Sequence, residues 1–94
     1  MLSTTVYVAC PNGWTKLATL YGSTVRNQTG WLISCRSNTV QYAIADTTPT
    51  ATYGHPITAN GSVTINVGDA SNVWFQNEVS ATVGYLVITP IVAF

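Results

Sequence analysis

Charge is what this sequence has least of. Its 94 residues hold three Lys or Arg and three Asp or Glu, so 6% are charged and the formal balance is zero. About a quarter of the residues are charged in an ordinary soluble domain. Scattered ions and a net charge of magnitude about 2–8 keep small free domains apart in solution. A chain without them is expected to bury its surface against other protein, with Thr, Ser and Asn covering what remains. The same shortage excludes nucleic acid as a partner. Lys16, Arg26 and Arg36 cannot make a basic stripe, and neutralising phosphates supplies most non-specific affinity.

Long apolar runs are missing too. The longest weakly polar stretch, Val83 to Phe94, is interrupted by Pro90 and falls well short of the roughly 18 residues that a membrane-spanning helix needs. No membrane partner is expected. Disorder is excluded by composition, because Val, Ile, Tyr and Trp recur regularly between turn residues. The opening Met1-Leu2-Ser3-Thr4-Thr5 has no basic residue, so it does not read as a secretion signal, and synthesis and assembly in the cytosol are expected.

Groups that do chemistry are equally sparse. The carboxylates are Asp46, Asp69 and Glu78, and the two Asp lie in turn-rich sequence where such a side chain commonly caps its own backbone. His55 is the only histidine, and no local signature joins it to a cysteine as a nucleophile pair. No C-x-x-C or H-x-x-x-H spacing suggests zinc, and Gly13, Gly22, Gly30 and Gly54 are isolated, so no phosphate-cradling loop exists. No catalytic residue, cofactor or metal site is expected, and the chain reads as non-enzymatic. Cys10 and Cys35 are expected as two small buried thiols in a reducing compartment rather than as a bridge. Trp14, Trp31, Trp74 and five tyrosines offer faces on which a sugar ring could stack, but aromatics are the ordinary filling of a small β core.

What the sequence does have is alternation. Val63, Ile65 and Val67 share one parity and Ser62, Thr64 and Asn66 the other, the signature of a strand with one buried face. Trp31, Ile33 and Cys35 repeat it against Leu32, Ser34 and Arg36, and Val40, Tyr42 and Ile44 repeat it against Gln41, Ala43 and Ala45. Further strands are expected at Thr4 to Ala9, Thr24 to Asn27, Pro56 to Ala59, Val73 to Gln76 and Thr82 to Thr89. Trp14 to Tyr21 is ambiguous: Trp14, Leu17, Ala18 and Tyr21 follow helical spacing, but two threonines and the lack of a capping box favour a strand.

Asn12-Gly13, Thr29-Gly30 and Gly68-Asp69 read as turns, and Thr47-Thr48-Pro49-Thr50 as an extended connection. Around Asn60-Gly61, a three-residue hairpin loop with Gly61 in the left-handed region would set Ile57 opposite Val63 on one apolar face. About eight short strands in a chain of this size, residues 1–94, imply one all-β domain, a small β-sandwich of jelly-roll type.

Toward the C-terminus the alternation collapses. Val83, Tyr85 and Val87 occupy one parity, Leu86 and Ile88 the other, and Ile91, Val92, Ala93 and Phe94 follow Pro90. Both faces of this segment need cover. An apolar tail would fray into water unless docked, and burying one aromatic side chain is worth roughly 1.5–3 kcal/mol.

In the order Val25-Arg26-Asn27-Gln28-Thr29-Gly30, the alternating Val40 to Ala45, Thr47-Thr48-Pro49-Thr50, Asn60-Gly61-Ser62-Val63-Thr64-Ile65 and Asn72-Val73-Trp74-Phe75, the chain resembles small virion proteins of tailed bacteriophages. Within that group it is most similar to capsid cement or decoration proteins of β-sandwich fold. The resemblance implies attachment to the outer surface of an icosahedral shell, as a dimer or trimer that clamps neighbouring copies of the major capsid protein. A phage tail or fibre component that binds a receptor or carbohydrate is the alternative it leaves open. Leu2, Trp14, Ile91, Val92 and Phe94 are the expected subunit contacts. Deletion of Ile91 to Phe94 is therefore expected to impair assembly far more than monomer folding, and assembly that proceeds unchanged would reject a docked tail.

Overall fold

The computed structural model of the chain describes residues 4–22, 28–50, 53–67, 69–78 and 82–92. Eight strands account for most of it: β1 (Val6–Ala9), β2 (Thr15–Lys16), β3 (Gln28–Ser37), β4 (Val40–Ile44), β5 (His55–Ile57), β6 (Ser62–Ile65), β7 (Val73–Asn77) and β8 (Tyr85–Val92). One α-helix, α1 (Leu17–Tyr21), and a 3-10 turn at Ala70–Asn72 complete the elements. The strands form two four-stranded sheets, sheet A in the order β1-β8-β3-β6 and sheet B in the order β2-β7-β4-β5. Every pairing is antiparallel.

The pairing has a simple rule. The first strand pairs with the last, the second with the seventh, the third with the sixth and the fourth with the fifth. The chain is thus one long hairpin that turns back between β4 and β5 and is rolled so that alternate layers fall into two sheets. This is jelly-roll connectivity, one of the ways an all-β chain limits its open edges.

One core fills the space between the sheets. Sheet A contributes Trp31, Ile33 and Cys35 from β3, Leu86 and Ile88 from β8 and Ile65 from β6, while sheet B contributes Val40, Ile57, Val73 and Phe75. Alternation predicts these residues correctly for β3, β6 and the start of β4. It fails at Ile44, which lies at the end of its strand and is exposed.

Trp14 to Tyr21 is not a strand throughout. Only Thr15 and Lys16 pair, with Phe75 and Trp74, and the chain then coils into α1. The helix has no side-chain N-cap, so tertiary packing holds it. Leu17 and Tyr21, one helical turn apart, are both buried; the Tyr21 ring meets Trp31 edge-on at 5.3 Å and its hydroxyl donates to the Thr4 carbonyl at 2.6 Å. Gly22 ends the helix at φ 76, the left-handed value that glycine adopts without strain.

The hairpin expected at Ala59-Asn60-Gly61 does not form. Ile57 pairs with Val40 in sheet B and Val63 with Ile33 in sheet A, so the segment crosses between sheets. Asn60, not Gly61, takes the left-handed conformation, at φ 66. Both apolar residues reach the same core from opposite sheets, which satisfies the alternation that had suggested direct pairing. Thr29-Gly30 is likewise no turn but part of β3, at a shift of register between Gln28 and Gly30.

Pro90 does not end β8 either. Its described pairing with β1 stops at Val6 opposite Ile88, leaving Pro90 paired only to Trp31 of β3, a one-sided setting in which a residue without N–H is tolerated. The strands expected elsewhere are present with shifted ends, except that Thr24 to Asn27 lies outside the described residues, as does Gly68.

One polar side chain ties the Cys10 end of the sandwich together. Asn77, buried on β7, donates to the Cys10 carbonyl at 2.7 Å and to Asn12 Oδ1 at 2.8 Å, and its own Oδ1 accepts from the Gly84 N–H at 2.9 Å. It thereby joins the β1–β2 and β7–β8 connections. Among the described residues no buried side-chain nitrogen or oxygen lacks a partner. Asn77→Ala strands the Gly84 N–H and the Cys10 carbonyl, so urea denaturation is expected to show a loss of about 2–4 kcal/mol; a loss below about 0.5 kcal/mol, the level of an ordinary surface change, would refute this role.

Candidate protein-contact face

Each sheet has an outer face, and the two are treated differently. On sheet B the outward positions Gln41, Gln76 and Trp74 are under cover; Gln41 is 2% and Trp74 5% exposed. Trp74 Nε1–H donates to the Ala45 carbonyl at 3.0 Å. Gln41 Oε1 accepts from the Gly54 N–H at 3.2 Å and from Gln76 Nε2 at 2.9 Å, while Gln41 Nε2 donates to Glu78 at 3.2 Å. Ala45 and Gly54 bracket the β4–β5 connection, so both its ends are fastened to the sheet. Gly54 is required there: a Cβ would collide with the Tyr42 carbonyl and lie 2.7 Å from the Trp14 ring. Lys16 adds its ammonium, 5.7 Å from the Trp74 ring centre.

Nothing described covers the outer face of sheet A in this way. Tyr7 on β1, Leu32 on β3, and Tyr85, Val87 and Ile91 on β8 share it, since the core takes the opposite parity. Tyr7 is 63% and Leu32 43% exposed, and Tyr85 and Ile91 are exposed as well. Tyr7 and Tyr85 stack nearly parallel, with ring centres 5.3 Å apart and planes 6° from each other. The hydroxyls of Thr5 and Thr89 pair at 2.7 Å beside them, and Ser34, Ser62 and Thr64 supply the remaining polar positions. Arg36 is the only charged residue in the four strands of this sheet. The face is an apolar strip along β8 with a hydroxyl margin.

Of the expected contact residues that are described, only Ile91 is on this face, paired opposite Gly30. Val92 follows it, half-buried and opposite Gln28. Trp14 is half-buried on the other side of the molecule, against Gly54. Leu2 and Phe94 lie outside the described residues. Tyr7, Leu32 and Tyr85 were not anticipated as contacts. Tyr7 and Tyr85 lie in segments apolar on both parities, Val6-Tyr7-Val8-Ala9 and Tyr85 to Ile88, and Leu32 lies between the apolar Trp31 and Ile33.

Reactive groups have structural surroundings. Asp69 caps the 3-10 turn, its Oδ1 accepting from the Ser71 N–H at 2.9 Å. His55 is exposed beside the Tyr42 ring at 5.2 Å. Among the described residues no three His, Cys, Asp or Glu side chains group so as to hold a metal ion, and no described helix is long and apolar enough to cross a membrane. Trp31 and Trp74 are buried, so the tryptophans do not form an exposed stacking platform. Comparison with protein-family models, curated proteins and solved structures found no match.

Cys10 and Cys35 are both buried as free thiols. Burial, and secondarily the neighbouring Cys35, pushes the Cys10 thiol from 9.0 up to about 12. Burial also raises Cys35, with backbone hydrogen bonds at Ser37 and Val40 acting the other way. Because thiolate is the reactive form, Cys10 of the native protein is expected to resist a disulfide reagent at pH 8 and to react once urea is added. Folding favours the neutral thiol, so stability is retained below the unfolded value near 9.0 and falls as pH rises toward about 12. Rapid native labelling of Cys10 would contradict its burial.

Proposed function

We propose that this chain is a structural virion protein of capsid cement or decoration type, which binds the outside of an icosahedral shell through the outer face of sheet A and bridges copies of the major capsid protein. The observation that carries this reading is the contrast between the two faces: one is fastened under its own connection, while the other presents Tyr7, Leu32, Tyr85 and Ile91 with almost no charge. Jelly-roll connectivity supports it by kind, since viral capsid domains are among the proteins built this way, although lectin domains share it and fold does not by itself give function. The resemblance of the sequence to small phage virion proteins points in the same direction.

The work proposed is mass action. A protein that binds the assembled lattice and not its separated subunits stabilises the lattice by its own binding free energy. Each copy contributes modestly, and the copies add. A face without ions suits this, because desolvating it costs little and the apolar strip gains roughly 25 cal/mol for each Å² buried.

Cryo-electron microscopy of purified virions is expected to show the chain in many symmetric copies with sheet A against the shell. Ile91→Glu or Leu32→Glu, which bury a charge in the contact but leave the core untouched, are expected to weaken shell binding at least tenfold, about 1.4 kcal/mol or more, with unaltered thermal unfolding. A few copies confined to the tail, or unchanged binding by both variants, would reject the reading.

A further inference from the structure

A strand at the edge of a sheet carries a row of unpaired N–H and C=O groups, and proteins usually guard it with brevity, lysine, proline or a bulge. Sheet B is guarded at both edges: β2 has two residues, one of them Lys16, and β5 has three residues including Pro56. The β1 edge of sheet A has no such device. Val6-Tyr7-Val8-Ala9 contains no charge and no proline, and its register with β8 runs without a shift. β6, at the opposite edge, is also uncharged, but it turns Ser62 and Thr64 outward. β1 turns out Tyr7, and its inward-facing Val6 and Val8 are only half-buried although they pack on the core.

We propose that β1 docks a second copy of this chain by antiparallel strand pairing across a two-fold axis. An edge strand is its own complement in that orientation, because each N–H of one copy meets a C=O of the other in both directions. Opposed like charges would destabilise such a pair, and β1 has none to oppose. Pairing covers the half-exposed sides of Val6 and Val8 and brings the Tyr7–Tyr85 stack of one copy beside that of the other. Sheet A then becomes one sheet of eight strands with a continuous outer face.

The size of that face gives the pairing a use. Four strands about 4.8 Å apart and about five residues long make a footprint of roughly 300 Å², small beside the roughly 800 Å² of accessible surface that each partner commits to a stable interface. Two coplanar copies make the contact bivalent, which raises avidity by about 10²–10⁴ when both faces engage at once. This use rests on the shell-binding reading. The dimer itself does not.

Sedimentation equilibrium of the full chain, from low micromolar to several hundred micromolar, is expected to show monomer and dimer. Tyr7→Lys sets like charges across the axis and is expected to raise the dimer dissociation constant about tenfold or more, whereas Thr64→Lys on β6 leaves it unchanged. Ile91→Glu, away from the edge, is expected to keep the dimer while losing shell binding, so failure of the shell-binding reading and failure of the dimer give different results. Hydrogen exchange on the unaltered protein supplies a check that needs no variant: amides within Val6–Ala9 gain protection as concentration rises. A chain that stays monomeric throughout, a dimer that survives Tyr7→Lys, or one that Thr64→Lys dissolves would overturn the proposal.

Discussion

The ladder between β3 and β8 is the constraint on which the rest of the molecule depends. It joins Gln28–Ser37 to Tyr85–Val92 across most of the chain's length, and it is flanked by β1 on one side and β6 on the other. Its inward residues, Trp31, Ile33, Cys35, Leu86 and Ile88, are the buried centre of sheet A. Without this ladder, the β1–β8 pair and the β3–β6 pair would not share one sheet and the core would lack one wall. Loop closure of this length must be met before the contacts reward it. The fold is therefore specified by a long-range pairing, with β4 and β7 playing the corresponding part in sheet B.

Period-two patterning revealed what is buried more reliably than what is adjacent. Ile33, Cys35, Val40 and Ile65 are in the core as their parity implies, because burial depends only on which side of a strand a residue takes. Pairing depends on where the chain travels between strands, and β5 and β6 show the difference: either a hairpin or a crossing between sheets would bury Ile57 and Ile65. The helix α1 was obscured for another reason. Its signal is one pair of residues a turn apart, Leu17 and Tyr21, with no cap to mark a start, so only the cavity it fills decides between helix and strand.

The proposed contact face was legible in part. Apolar residues on both parities of β8 announced that two sides of that strand want cover, and Ile91 lies on its outward side. The apolar residues after Pro90 read as a tail that frays unless docked, yet β8 continues through Pro90 to Val92, and the outward apolar residues lie in the body of β8 and at Tyr7 beside it. Trp14, also expected as a contact, is half-buried on the opposite side of the molecule, beside Gly54.

Because β1 and β8 run side by side in opposite directions, with Thr5 touching Thr89, the polypeptide enters and leaves sheet A at a single pole. The other pole carries Cys10, Asn77 and Gly84. A segment joined ahead of β1 and one joined behind β8 would therefore start from the same end of the sandwich, so two such additions would be neighbours, remote from the Cys10 pole.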